Sequence, residues 1–136
     1  MTLRTLATAL AVNRVLFGAG FLVAPERSAR SWISIDAATG GGRLMTRATG
    51  ARDLALGVGA LHALRSGADA RPWFTAHLVS DATDFLATWA ERREFPTVSV
   101  AFALTMAGAS TAVAAAYLTT GGDGSHDAAT EAGSRR

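Results

Sequence analysis

The chain has no cysteine and no lysine, and both absences narrow what it can do. Without cysteine, thiol catalysis, disulfide exchange and Cys-ligated metals are excluded, and the redox compartment cannot be read. All thirteen basic residues are arginine, and the net charge is only +2, so the basic balance does not point to nucleic acid. No run of basic residues is interleaved with aromatics, as a nucleic-acid surface requires. Charged residues of any kind are also scarce, at 18%, against roughly 25% in soluble domains. That shortage, with 49% hydrophobic residues and a mean hydropathy of +0.22, points towards lipid.

What is present divides into four apolar segments and their connectors. The spans are expected at about residues 3–23, 43–64, 72–90 and 97–118, each close to the roughly 20 residues that cross a bilayer. The 136 residues suffice for one four-helix unit. The expected fold is therefore all-α, an antiparallel four-helix transmembrane bundle over residues 1–118, followed by a disordered polar tail over 119–136. The first segment reads as a retained helix, not a signal peptide, because Asn13-Arg14 interrupts its apolar run. Pro25 to Ala38 is a connector with a short helix of its own. There Arg27 and Arg30 alternate with Trp32, Ile33 and Ile35, the mix of an interfacial segment. Thr39-Gly40-Gly41-Gly42 breaks it as a flexible turn; no Lys-Ser/Thr follows and no strand precedes, so it is not a phosphate cradle.

Small residues recur at helical spacing. Ala7, Ala11, Arg14 and Gly18 share a face of segment one, as do Gly50, Asp53, Gly57 and Leu61 in segment two and Ala103, Ala107, Thr111 and Ala114 in segment four. In a soluble helix each interior glycine would cost about 1 kcal/mol; between membrane helices such stripes allow close approach. Trp32, Trp73, Trp89 and Tyr117 fall at segment ends, where aromatic belts form. A soluble Ala-rich bundle is the alternative, since segment three is the most polar of the four. Four spans place both termini on one side, and the arginines of the connectors leave the side open.

Charge near half depth carries the functional argument. Arg14, Arg52, Asp53 and Asp81 lie close to the middle of their segments, with Asp84 about one turn from Asp81. The turn joining segments two and three centres near Asp69, so equidistant residues should face each other: His62 near His77, and Arg52-Asp53 near Asp84. An isolated ionised side chain at the bilayer centre costs about 2.5–3.5 kcal/mol, so these groups must face inward and pair. Two arginines against three aspartates leave one negative charge over. Either one carboxyl holds a proton or His77 carries the matching one. The candidate acid/base set is Asp81, Asp84 and Arg52, and the candidate ligand-binding set is Arg14, Asn13, Asp53, His77 and His62. Metal is not expected, because the arginines would repel a cation and the spacing matches no known metal motif. Nor is a Ser-His-Asp triad, with Ser80 expected on a different face from His77. No cofactor is implied.

Three readings follow. The leading one is a binding or carrier module for a small amphipathic ligand or a proton, held by a homo-oligomer among membrane lipid. A second is a membrane enzyme in which Asp/Arg/Asp performs acid/base chemistry on a lipophilic substrate, of epoxide hydrolase, cyclase or isomerase type. The third is a structural or accessory subunit whose polar network fixes helix register.

Arg14 with Phe17-Gly18 and Phe21-Leu22-Val23-Ala24-Pro25, then Gly50-Ala51-Arg52-Asp53-Leu54-Ala55-Leu56-Gly57, resembles a domain-of-unknown-function family of small bacterial four-helix membrane proteins. Asp81-Ala82-Thr83-Asp84 fits the same pattern, and the resemblance spans residues 10–118. The layout alone is similar to DoxX-like proteins. The resemblance implies a four-span fold in a bacterial cell membrane and no particular activity.

Overall fold

Among residues 2–30 and 38–120, which the computed structural model describes, the regular structure is helical throughout, with five helices and no strand. Helix α1 (Leu3–Val23) begins where the Thr2 hydroxyl accepts the Thr5 amide, satisfying one of the first-turn donors. It stops before Pro25, whose ring cannot continue the ladder and instead opens α2 (Pro25–Arg30). Helix α3 (Gly40–Ser66) is capped by Thr39, which accepts the Gly42 amide at 3.0 Å, and ends at Gly67 with φ 72°. That left-handed conformation suits glycine and closes the helix. The Asp69 carboxylate then accepts the Arg71 amide at 2.9 Å, and Pro72 sits in the first turn of α4 (Arg71–Ala90). Helix α5 (Thr97–Thr119) follows the Glu91–Glu94 turn and Pro96.

The four long helices match the expected segments, with one difference. Thr39 to Gly42 is the cap and first turn of α3, not a break before it. Glycine is a poor helix former, but a good N-cap offsets its cost in a first turn. Trp32, Ile33 and Ile35 of the first connector and residues 121–136 of the tail, including His126, lie outside the described residues.

Helices α1 and α3 run antiparallel and approach most closely. A methyl group on Gly18 would stand 2.5 Å from the Leu54 amide nitrogen and 2.7 Å from the Gly50 carbonyl oxygen. One on Gly57 would stand 2.7 Å from the Ala11 carbonyl oxygen. The glycine faces are therefore the contact itself, and a Cβ at either position would force the backbones apart. At the far end Arg4 Nη2 donates to the Leu64 carbonyl at 2.7 Å, satisfying one of the last acceptors of α3. Helices α4 and α5 form a second antiparallel pair, fastened by Phe74 stacked on Tyr117 at 4.1 Å between ring centroids.

The two pairs join at one end. Ala7, Ala11, Ala60, Leu64, Phe74 and Ala114 belong to a shared core there, which also places the start of α1 beside the end of α5. Tyr117 is buried in this core, so it is not the interfacial aromatic its position suggested; the stack on Phe74 draws it inward. Trp73 is partly exposed, and its ring fills the niche at Gly59 between α3 and α4. Trp89 is exposed, with the Arg92 guanidinium 4.3 Å from its ring centroid. At the opposite end the pairs diverge.

Candidate functional site

Arg14 sits on the small-residue face of α1 between Ala11 and Gly18, buried to 5% exposure. Because α1 and α3 are held together by glycines, its guanidinium has no room to leave and lies between two carboxylates. Nη1 donates to Asp53 Oδ1 at 2.7 Å, and Nη2 donates to Asp81 Oδ1. One cation thus links α1 to α3 and to α4. A second arginine extends the chain: Arg52 grips both oxygens of Asp84 at 2.7 and 3.1 Å, and its Nε donates to Asp53 Oδ1 at 3.2 Å. Ser110 on α5 donates to Asp81 Oδ2. All four long helices therefore meet at one polar centre. The planar fork of arginine, with its several fixed donors, is what allows one side chain to bridge two carboxylates.

The satisfaction of this network is uneven. Five of its six carboxylate oxygens accept a hydrogen bond from the described residues; Asp53 Oδ2 accepts none, and it is not sealed off from its surroundings. On the donor side, Arg14 Nε is sealed and unpartnered. Behind the network His77 is wholly buried, edge-on to Phe74 at 5.2 Å, and neither ring nitrogen makes a well-formed hydrogen bond among the described residues, the Leu56 backbone offering only a weak one. An imidazolium there would bury a charge with at most one weakly met N–H donor. His77 is thus not the group that balances two arginines against three aspartates.

The centre forms part of the wall of a cavity of about 680 Å³, opened by the divergence of the two helix pairs. Its wall is mostly apolar: Phe17, Phe21, Val100, Ala103, Met106 and Val113 are among the residues lining it. Arg14, Asp53, Asp81 and Asp84 supply the charge, and Glu91 adds another carboxylate. A largely apolar pocket of this size with a few convergent polar groups has the form of a small-molecule site.

The sequence-derived candidates divide accordingly. Arg14, Asp53, Asp81, Asp84 and Asn13 all line the cavity, and Arg52 braces Asp53 and Asp84 from behind. Arg52 pairs with Asp84 as the hairpin register required. His77 lies in the core away from the cavity wall, and His62 is exposed on α3, so the two histidines do not meet. Equal distance from the turn sets height along the helices but not direction around them: His62 follows the stripe of Arg52 and Ala55, outside the packed face of Asp53, Gly57 and Ala60. Ser80 is buried one turn from His77, on the same side of α4, and not on a different face; its hydroxyl is unpartnered, so no triad forms. Ser110 is uncharged and leaves no mark in the spacing of charged residues; its position one turn from Ala107 on the small-residue face is the available clue. No group of three or more His, Asp or Glu side chains among the described residues is arranged to hold a metal ion.

Comparison with protein-family models, with curated proteins and with solved structures finds no match to this chain, so its function is argued from the site. What fold and site define together is an all-α protein with an arginine–aspartate centre set into the wall of an apolar cavity.

Proposed function

We propose that this is a small integral membrane protein whose four long helices form a multi-pass bundle, with the cavity binding a small amphipathic ligand. The observation that carries the reading is the joining of that apolar cavity to a charged centre that is not fully satisfied. Two helices, α1 and α5, are long and apolar enough to cross a membrane, each with a mean hydropathy of 1.7. Helices α3 and α4 carry charge, but Arg52 and Asp84 neutralise each other between them and Asp53 meets Arg14. Paired inward charges are what a membrane tolerates. At 1.5 Å per residue, α4, the shortest of the four, still spans about 30 Å. Outward apolar side chains such as Leu16 at 65% exposure, Val58 at 52% and Leu86 at 66% fit a lipid surround better than water. The expected location is the cell membrane, with the start of α1 and the end of α5 on one side.

The test is saturable binding of a neutral solvatochromic lipophile to the protein in nanodiscs. Ala103→Phe and Val100→Trp, both on the cavity wall, should each weaken binding at least tenfold while the thermal midpoint holds. Binding that neither variant alters would remove the cavity from the account.

One observation favours a second reading. Arg14 lies between Asp53 and Asp81, both on the cavity wall, which is the arrangement needed for acid/base hydrolysis of a lipophilic epoxide. Asp81 would take a proton from water as the water's oxygen attacks an epoxide carbon, and Asp53, carrying a proton on its free Oδ2, would give that proton to the departing ring oxygen, leaving a diol. In this reading Arg14, not Arg52, is the arginine between the acid and the base. Conversion of a long-chain epoxide to its diol by the purified protein, abolished in Asp81→Asn, would establish it; no conversion would leave the binding reading alone.

A further inference from the structure

We propose that the cavity selects a lipophilic cation whose head group donates hydrogen bonds, of the alkylammonium class, over fatty acids and neutral lipids. The inference rests on the binding reading above and adds the charge of the ligand.

The wall of the cavity carries four carboxylates, Asp53, Asp81, Asp84 and Glu91, and one guanidinium, Arg14. Both terminal nitrogens of Arg14 are already committed to Asp53 and Asp81. Its charge is thereby paired on both sides, and its Nε is sealed from solvent and out of a ligand's reach. Arg52 is likewise spent on Asp84 and Asp53. An anionic head group would therefore find only neutral donors such as Asn13 and Ser99, no unpaired cation, and carboxylates around it, where like charges in an apolar setting repel strongly.

A cation meets the opposite situation. Asp53 Oδ1 is saturated by Arg14 and Arg52, while Oδ2 of the same carboxylate is unpartnered among the described residues and unsealed, on a side chain 13% exposed in the cavity wall. It is the one acceptor of the centre that lacks a donor. An ammonium N–H there would complete the carboxylate and supply the positive charge by which two arginines fall short of three aspartates. The apolar remainder of the wall, with Phe17, Met106 and Val113, would take the alkyl chain.

The deciding experiment is isothermal titration of the protein in zwitterionic nanodiscs, with empty nanodiscs subtracted, using decylammonium, decyltrimethylammonium, decanol and decanoate. Decylammonium should bind at least tenfold more tightly than decanol, with decanoate weakest. The trimethyl analogue, which has no N–H to give Asp53, should fall below decylammonium. Asp53→Asn should erase the preference; if that variant does not fold, Asp84→Asn should reduce it. Decanoate binding as tightly as decylammonium would overturn the proposal and leave the cavity reading standing. Equal binding of the two cations would overturn the contact with Asp53 Oδ2. Absence of saturable binding by all four compounds, and by the neutral probe, would overturn both readings.

Discussion

Arg14 and Asp53 meet through one oxygen only: Nη1 stands 2.7 Å from Oδ1, while Oδ2 of the same carboxylate accepts no hydrogen bond among the described residues. A network serving only to fix helix register would gain by satisfying that oxygen, which instead stays open on the cavity wall.

Asp53→Asn separates the roles of binding and packing. The amide oxygen can still accept from Arg14 and Arg52, and each arginine keeps its second aspartate. Thermal unfolding in detergent should therefore show a loss of only about 1 kcal/mol, while ligand affinity drops at least tenfold. A large loss of stability with unchanged affinity would favour the packing role.

The two arginines should differ in weight. Arg14 and Asp81 are almost wholly buried, with side chains 6% and 7% exposed, whereas those of Arg52 and Asp84 are 34% and 37% exposed. Removing one partner of a buried pair costs about 3–5 kcal/mol because the other charge is stranded, and the more open Arg52–Asp84 pair leaves its stranded charge less desolvated and costs less. Arg14→Gln should thus unfold at a markedly lower temperature than Arg52→Gln. The double-mutant cycles should show strong coupling of Arg14 with Asp81 and weak coupling of Arg52 with Asp84.

His77→Leu should be as stable as the wild type or more so. Neither imidazole nitrogen makes a well-formed hydrogen bond among the described residues, the Leu56 backbone offering only a weak one, so an apolar side chain of similar size removes poorly met polar atoms from beside Phe74. Binding should persist, because His77 does not line the cavity. Loss of binding in a folded His77→Leu would return this residue to the site.

The helix contact gives a sharper structural check. Gly18→Ala and Gly50→Ala each put a methyl group within 3 Å of neighbouring atoms on the facing helix, and overpacking of this kind costs about 1–3 kcal/mol. Gly41→Ala, where nothing lies within 4 Å of the new methyl group, should instead hold or raise stability, since alanine is the better helix former. Equal effects at the three positions, measured by thermal unfolding, would contradict the close approach of α1 and α3.

Much of this arrangement was legible in the sequence, for identifiable reasons. Pro25, Pro72 and Pro96 mark helix starts through covalent geometry, and the period of Ala7, Ala11, Arg14 and Gly18 names the buried face of α1 without reference to any partner. Inward charges have to find each other, so Arg52 and Asp84 could be matched from the turn between them. The assignment of Asp81 to Arg14, the donor Ser110 and the isolation of His77 from His62 were not legible. Each depends on how two helix pairs rotate about one another, which spacing along one helix does not encode. The cavity was hidden for the same reason: it arises where the pairs diverge, from residues spread over all four long helices.

The most direct test of the central claim is photolabelling in nanodiscs with a decylammonium carrying a diazirine on its alkyl chain, followed by peptide mapping. Label concentrated on cavity residues such as Phe17, Met106 and Val113, and displaced by excess decylammonium, is the expected result. Label confined to outward-facing Leu16, Val79 and Leu86, with no displacement, would show that the amine resides in bulk lipid and that the cavity beside Arg14 and Asp53 is not its site.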